Sequence, residues 1–501
     1  MGLSASLSIA QAALQANANS TTALSRNIAG VNDPNYSRKI ASLSTTSTGA
    51  ADVTVTRASN PALFNRLLSS TSDSQAAQAL SDGLDQLEQT VSLTTSAATS
   101  ESDKSTTRIG TSPADLLTTM TTALTSYAGA PDNPSLAQAF LSDAQSLATN
   151  LNTASQTVQN VRGQADSNIS NAVDNVNSLL SRFTDVNTQI VKGTATGADI
   201  TDVLDTRDAI LKSLSTDMGI TTTTGIDGSM SIYTDSGVTL FDRTPNKVSF
   251  QTTAAFADNT VGNAVIVDGI PITGPSSVMP LTSGSIAGFA QLRDSTTVQY
   301  QNQLNQIASS LITTFADSDQ TGGSAPTIPG LFTYSGAPAM PTNGQTGLAA
   351  NIKVNANADP SQGGALTNMR DGNVGDPTNT AYNGNPAGAA AYATRLNSLV
   401  TNLQTAQNFD PASGGASSGT LAGYAGSSVS WLENSRSTAT STTTSTTAVA
   451  TQAATSLSNS TGVNLDDQLS LMLDLEHSYS ASAELMSTVK SMFSTLITAM
   501  Q

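Results

Sequence analysis

Three short segments carry residue types and spacings that could do chemistry. Gly415-Ala416-Ser417-Ser418-Gly419 fits G-x-S-x-G, which in a hydrolase places a nucleophilic serine on a sharp strand-to-helix turn beside a histidine. Ser487-Thr488-Val489-Lys490 fits S-x-x-K, in which a serine nucleophile has a lysine nearby. Asp317-Ser318-Asp319-Gln320-Thr321-Gly322 resembles the opening of a calcium loop. Each lacks its complement. Ser417 sits in a Gly/Ser linker, and the chain has one histidine, His477, far along the sequence. Ser487 lies within an apolar helical repeat without companion motifs. The twelfth position of the calcium-like loop is Ile328 instead of glutamate. Neither a phosphate-binding P-loop nor H-E-x-x-H occurs. Asp205, Arg207 and Asp208 form a charged cluster, read as an exposed helix face with a local ion pair. His477 reads as a polar position on a packed helix, and Trp431 as core between helices. The expectation is a protein that is not an enzyme, with no cofactor and no metal.

Composition points the same way. The 501 residues contain no cysteine, which excludes disulfides and thiolate metal sites. Lys plus Arg total 20 against 37 Asp plus Glu, for a net charge of −17. Nucleic acid and anionic membrane surfaces are poor partners for such a chain, because their phosphates need basic patches. No stretch approaches the ~18 apolar residues of a membrane span. The first cation is Arg26, so no basic region precedes the early apolar residues, and export without a cleaved signal peptide is expected. Charged residues make up only 11% and aromatics 4%. Long helices and contacts between subunits should therefore matter more than a dense core.

The elements that could organise such a chain lie at its ends. Leu3, Leu7, Ala10, Leu14, Asn17, Thr21, Leu24, Ile28 and Val31 alternate steps of four and three. Leu465, Leu469, Met472, Glu476, Tyr479, Ala483, Met486, Lys490, Phe493, Ile497 and Met500 do the same. That spacing is a coiled-coil seam. Two terminal seams, each needing a partner, predict that the ends of the chain meet. Asn464 is placed to cap the C-terminal helix. Ordering its backbone costs on the order of 1–2 kcal/mol per residue. One partner helix is a small return on that cost, so the ends should order fully only when several copies pack together.

Between the ends, Asp33-Pro34-Asn35 reads as a turn and 52–57 as a β-like stretch. Helical periodicity marks 61–97, 135–191, 199–215, 284–317, 387–408 and 417–459. Residues 219–283 are rich in Thr, Val, Ile, Gly and Pro, and residues 320–386 in Gly, Pro, Asn and Ala. The fold expected is mainly α with an inserted β domain, elongated and multidomain. Its parts are a terminal coiled-coil domain (1–50 and 460–501), a helical rod domain (51–218, 284–318 and 387–459), a β-rich outer domain (219–283) and an outer insertion of little regular structure (319–386).

Asn27-Ile-Ala-Gly-Val-Asn-Asp-Pro-Asn-Tyr-Ser-Arg-Lys39 resembles the N-terminal signature of the axial proteins of the bacterial flagellum, which reads close to N-I-A-N-x-N-T-P-G-Y-S-R-Q. Asn27, Ile28, Ala29, Asn32, Pro34, Tyr36, Ser37 and Arg38 match, while Gly30, Asp33, Asn35 and Lys39 depart. Residues 204–215, 284–294 and 461–496 are similar to further blocks of the same family. The Tyr-Ser-Arg ending is closest to members at the junction of hook and filament. The resemblance implies a structural adaptor, exported to the outside of the cell and built into a ring or short helical layer of its own copies. Its implied partners are hook protein below, the next junction protein above, and a cytoplasmic export chaperone at the C-terminal helix. The residues expected at the assembly interface are Leu3, Leu7, Leu14, Leu24, Ile28, Tyr36, Arg38, Leu465, Leu469, Met472, Tyr479, Met486, Phe493 and Ile497. Another axial protein, such as the one on the filament side, and a secreted coiled-coil adhesin are the competing readings.

Overall fold

A computed structural model describes residues 3–45, 51–91, 93–95 and 108–499. Helix α1 (Leu3–Ala29) leads into a hairpin of β1 (Lys39–Thr45) and β2 (Ala51–Arg57), antiparallel with Ile40 opposite Thr56. Helix α2 (Pro61–Glu88), the short antiparallel pair β3 (Leu93–Thr95) and β4 (Arg108–Gly110), and helices α3 (Pro113–Gly129), α4 (Pro134–Thr196) and α5 (Thr201–Asp217) follow. A four-stranded antiparallel sheet comprises β5 (Ile220–Thr224), β6 (Met230–Thr234), β7 (Thr239–Asp242) and β8 (Thr244–Pro245), in that order. Then come α6 (Ser285–Gln291), α7 (Thr297–Thr314), the short helices α8 (Leu348–Asn351) and α9 (Thr367–Asp371), α10 (Thr394–Gln404), α11 (Leu421–Thr461) and α12 (Leu465–Ala499).

Local chemistry explains the boundaries. Three helices open on a capping residue followed by proline: Asn60-Pro61, Ser112-Pro113 and Asn133-Pro134. The cap side chain accepts from an otherwise orphaned N–H, and proline costs nothing where no N–H partner exists. The long α4 stops at Gly197, whose φ of 72° is the left-handed region glycine tolerates. Asn464 caps α12 as expected, accepting from Asp466 N–H at 3.0 Å. Helix α2 stops short of the periodicity that suggested 61–97, at Glu88, just before Thr90 and Val91. The branched residues Thr90, Val91, Thr94 and Thr95 favour extended backbone, and 93–95 form β3. The helix expected over 284–317 is likewise divided. A π-helical turn at Leu292–Thr296 separates α6 from α7, and Thr297 Oγ1 donates to Leu292 O at 2.7 Å within it.

Two apolar cores share α4 as their spine. Ala137 through Ala165 of α4 pack with α3, α7, α10 and α11. Ile169 through Ile190 pack with α5, the β5–β8 sheet and α6. Where one core hands over to the other, charges are buried. Arg293 Nη1 donates to Asp166 at 2.6 Å and its Nη2 to Asp294 at 2.7 Å, while Arg162 Nε reaches Arg293 O at 3.1 Å. Such a network fixes geometry more than it adds stability, since its Coulombic gain is offset by desolvation.

The segment 319–386 departs from the expected peripheral insertion. It is poor in regular structure, yet Leu331, Phe332, Leu348, Ile352, Met369 and Val374 are buried in the first core beside Phe315. Its apolar residues are too sparse to show a period, but they are held in place by Asp317. That buried carboxylate pairs with Arg395 and accepts from Gly375 N–H at 2.7 Å.

Candidate assembly site at the joint of the terminal helices and the rod

The ends of the chain do meet. Asn17 Nδ2 donates to Ser478 Oγ at 3.1 Å and Asn27 Nδ2 to Gln468 Oε1 at 2.7 Å, so α1 and α12 run antiparallel. Asn27 sits at the base of this pair. Its amide donates to Lys39 O at 2.9 Å as well as to Gln468, and its oxygen accepts from Lys39 N–H at 2.7 Å and Tyr36 OH at 3.0 Å. Two donors and two lone pairs are the full capacity of an amide, and all are used. The Tyr36 ring lies directly on Gly30, where a Cβ would come within 2.6 Å of it. Burial, reinforced by Asp202 and Asp205, raises the Tyr36 hydroxyl well above its ordinary pKa, so it remains a donor.

A ladder of carboxylates binds this knot to the rod. Asp199, Asp202, Asp205 and Asp208 recur every three residues at the start of and along α5. Arg26 of α1 pairs with Asp199 at 2.7 Å, and Lys39 of β1 with Asp202 at 3.2 Å and with Asp205. Arg57 of β2 spans Asp205 at 3.0 Å and Asp208 at 2.7 Å. The Lys39 ammonium is fully buried, 4.7 Å from the Tyr36 ring centroid. Against the upward push of burial, hydrogen bonds from Thr201 and Arg26 hold Asp199 below the usual carboxylate range. At Asp208 burial wins over Arg57 and pushes the group up. The reading of Asp205, Arg207 and Asp208 as an exposed face is thus corrected: Asp205 and Arg207 are buried, and the ion pairs run between elements. Residues more than a hundred positions apart in sequence cannot be paired from spacing alone.

The expected interface residues divide. Leu24 is buried, and Leu7, Leu14 and Ile28 are half-buried. Leu3 opens α1, but its side chain lies outside the described residues, as does Met500 altogether. Tyr36 and Arg38, expected as contacts between subunits, are engaged within the chain. Tyr36 holds Asn27, and the Arg38 backbone donates to Thr461 O and accepts from Ala58 N–H, each at 2.8 Å. On α12, the buried or half-buried residues are Gln468, Leu475, Ser482, Met486, Val489 and Phe493. Only Met486 and Phe493 belong to the expected seam. Leu465, Leu469, Met472, Tyr479 and Ile497 are 41% to 55% exposed. The predicted seam is therefore rotated relative to the face that meets α1. The polar residues Gln468 and Ser478, paired to Asn27 and Asn17, set that rotation.

Features that suggested chemistry resolve into structure. Asp319 accepts from Thr321 N–H, Thr321 Oγ1 and Ala325 N–H, and the Thr321 hydroxyl foremost pulls its pKa down to about 2. Ser417 O accepts from Phe409 N–H, and Val489 of the S-x-x-K segment is buried. His477 is exposed, not packed. Trp431 stacks on Tyr300 at 6.4 Å beside the first core. Among the described residues no cluster of His, Asp or Glu could hold a metal, and no helix is long and apolar enough to cross a membrane.

Residues 109–330 match the family model of the flagellar hook-associated protein FlgK helical domain. Residues 456–499 match that of the flagellar basal body rod FlgEFG protein C-terminal. Flagellar hook-associated protein 1 of Escherichia coli is 24% identical over 43% of this chain and 40% of that protein. Its counterpart in Salmonella typhimurium is 24% identical over 37% and 34%. The chain thus aligns with less than half the length of these relatives. A solved structure, the flagellar hook junction protein FlgK from Burkholderia pseudomallei, aligns with a TM-score of 0.40 at 22% identity, covering 54% of this chain and 47% of that one. Both models are of flagellar proteins, one matching the rod and sheet and the other α12 with the end of α11. The chain is thus similar to the flagellar hook-associated protein FlgK through a helical domain that spans somewhat less than half of its length.

Proposed function

We propose that this protein is a structural subunit of the hook-filament junction, joining hook to filament without catalysis. The observation that supports it most is the exposed apolar stripe of α12, which pairing with α1 leaves uncovered. A contiguous exposed apolar surface of this kind marks an interaction site. In the proposed role the stripe packs against neighbouring copies in a ring or short helical layer. Head-to-tail contacts of that type let a tube continue, unlike a closed two-fold pair. Hook protein lies below the layer and the next junction protein above. Before assembly the stripe is an aggregation hazard, and a cytoplasmic export chaperone laid over α12 would hide it. The assembled protein sits in the extracellular part of the flagellum, exported without a cleaved signal peptide.

Electron microscopy of cells lacking the protein tests this reading. Hooks without filaments are expected. Normal filaments on those hooks would overturn it.

A further inference from the structure

A cleft of about 600 Å³ opens beside the joint, between the 30–37 turn, the start of α2, α5, the first strands of the sheet and the end of α11. Its walls are mixed. Tyr36, Phe64, Met230 and Leu457 supply apolar surface, Arg57, Arg207 and Lys212 positive charge, and Asp33 and Asp208 negative charge. The volume is that of a ligand-sized site.

Two of these cations are the unusual feature. Arg207 is 6% exposed, and among the described residues its one side-chain hydrogen bond runs from Nη1 to Gly228 O at 3.0 Å. Its buried Nε has no partner. A guanidinium offers five donors, and burying one so incompletely satisfied is costly. Burial accordingly lowers its pKa, with Asp208 opposing and Arg57 adding to the shift. Lys212, half-buried, has no side-chain partner among the described residues. The third cation of the cleft, Arg57, is already committed to Asp205 and Asp208. Two uncommitted cations thus line a concave site in a chain of net charge −17.

We propose that this cleft receives a carboxylate-bearing segment of a second copy of the chain, held by Arg207 and Lys212. Copies so acidic repel one another, with 37 acidic against 20 basic residues. Two cations free of salt bridges offset that repulsion locally and fix the register of contact. Gly462 and Val463 line the cleft and immediately precede α12, whose first exposed apolar residue is Leu465. The inference rests on the proposed role as one subunit in a layer of copies.

The absence of cysteine allows a clean test. Full-length chain bearing Ser458→Cys at the cleft carries a benzophenone cross-linker, and equal amounts of ¹⁴N and ¹⁵N protein are mixed and irradiated. Mass spectrometry should find mixed-isotope adducts on a segment containing Asp or Glu. Arg207→Gln with Lys212→Gln should lower their yield roughly fivefold or more. Lys212→Glu alone, at a half-exposed position that leaves the fold intact, should lower it similarly. Adducts confined to one chain, adducts on a segment without carboxylates, or yields unchanged in both variants would overturn the proposal. So would inorganic phosphate that raises the melting temperature of the monomer through Arg207 while no mixed adduct forms, because the cleft would then be a small-anion site. Leu469→Asp with Met472→Asp, run in parallel, separates the two readings. Normal assembly of that pair sinks the stripe, whereas unchanged cross-linking in both cleft variants sinks the cleft alone.

Discussion

Asn27 shows how one residue of a short motif can organise contacts within a single chain. Its four hydrogen bonds join α1, β1, the 30–37 turn and α12 at one buried point. Replacing it by alanine leaves Lys39 N–H and Gln468 without partners at a buried point and takes the acceptor from the half-buried Tyr36 OH. Asn27→Ala should therefore cost about 2–4 kcal/mol in the docking of the terminal helices. Urea unfolding followed by a probe on α1 should show the earlier transition, with the rod unaffected. Tyr36 was legible as special, but its bond to Asn27 was not, because nothing in its spacing says which side of the turn is wet. A second prediction concerns Asp217, which burial pushes up to about 6 although Asn175 and Ser285 bond it. A carboxyl raised above its unfolded value binds protons more tightly in the folded state. Its contribution is fully present below about 4 and lost as pH rises through about 6. Stability of the second core should accordingly fall by roughly 1–3 kcal/mol between pH 5 and pH 8. Asp217→Asn should flatten that slope in urea titrations at the two pH values. An unchanged slope would show that other groups produce it.

Helix contacts in this molecule are set by small residues as much as by large ones. Gly288 of α6 lies against α2 so closely that a Cβ would come 2.3 Å from Ala76 O. Gly288→Ala must push two helices apart against a backbone atom that cannot rotate away. A loss of about 1–3 kcal/mol is expected, read as a lower melting temperature. The helices themselves follow their periodicity: α4 and α11 run where apolar and small residues recur, and the Asn-Pro and Ser-Pro pairs mark starts that a sequence reader can find. The ends of α2 and the π turn after α6 are less visible, since they depend on branched residues and on the buried Arg293 network. For α12, the structure separates two faces that one heptad reading had merged. Met486→Asp with Phe493→Asp puts charge against α1, so hydrogen exchange should show α1 and α12 unpaired while the rod stays protected. Leu469→Asp with Met472→Asp changes only the exposed face. It should leave the pair intact in the monomer and yet prevent assembly on hooks. Restored motility in cells carrying that second variant would show that the exposed stripe is not the assembly surface.

Across the whole molecule, stability is expected to be uneven. The two cores hold α4 on both halves of its length, whereas α12 keeps few buried side chains besides Gln468 and Val489. Limited proteolysis of a dilute monomer should trim the terminal helices first and leave the rod and sheet. Slow exchange across 465–499 matching that of α4 would contradict this. The sequence by itself determined the helical plan, the β-rich segment at 219–283 and the meeting of the termini. Each of these follows from local composition or from a period repeated over many residues, and such signals survive without coordinates. Only the tertiary structure decided which face of α12 meets α1 and where the Asp199–Asp208 ladder finds its cations. It also decided that 319–386 completes the first core. Those outcomes rest on single pairings between distant residues, such as Asn27 with Gln468 and Asp205 with Lys39 and Arg57. A pairing of that kind has no period, and it exists only once the chain has folded and excluded water from the joint.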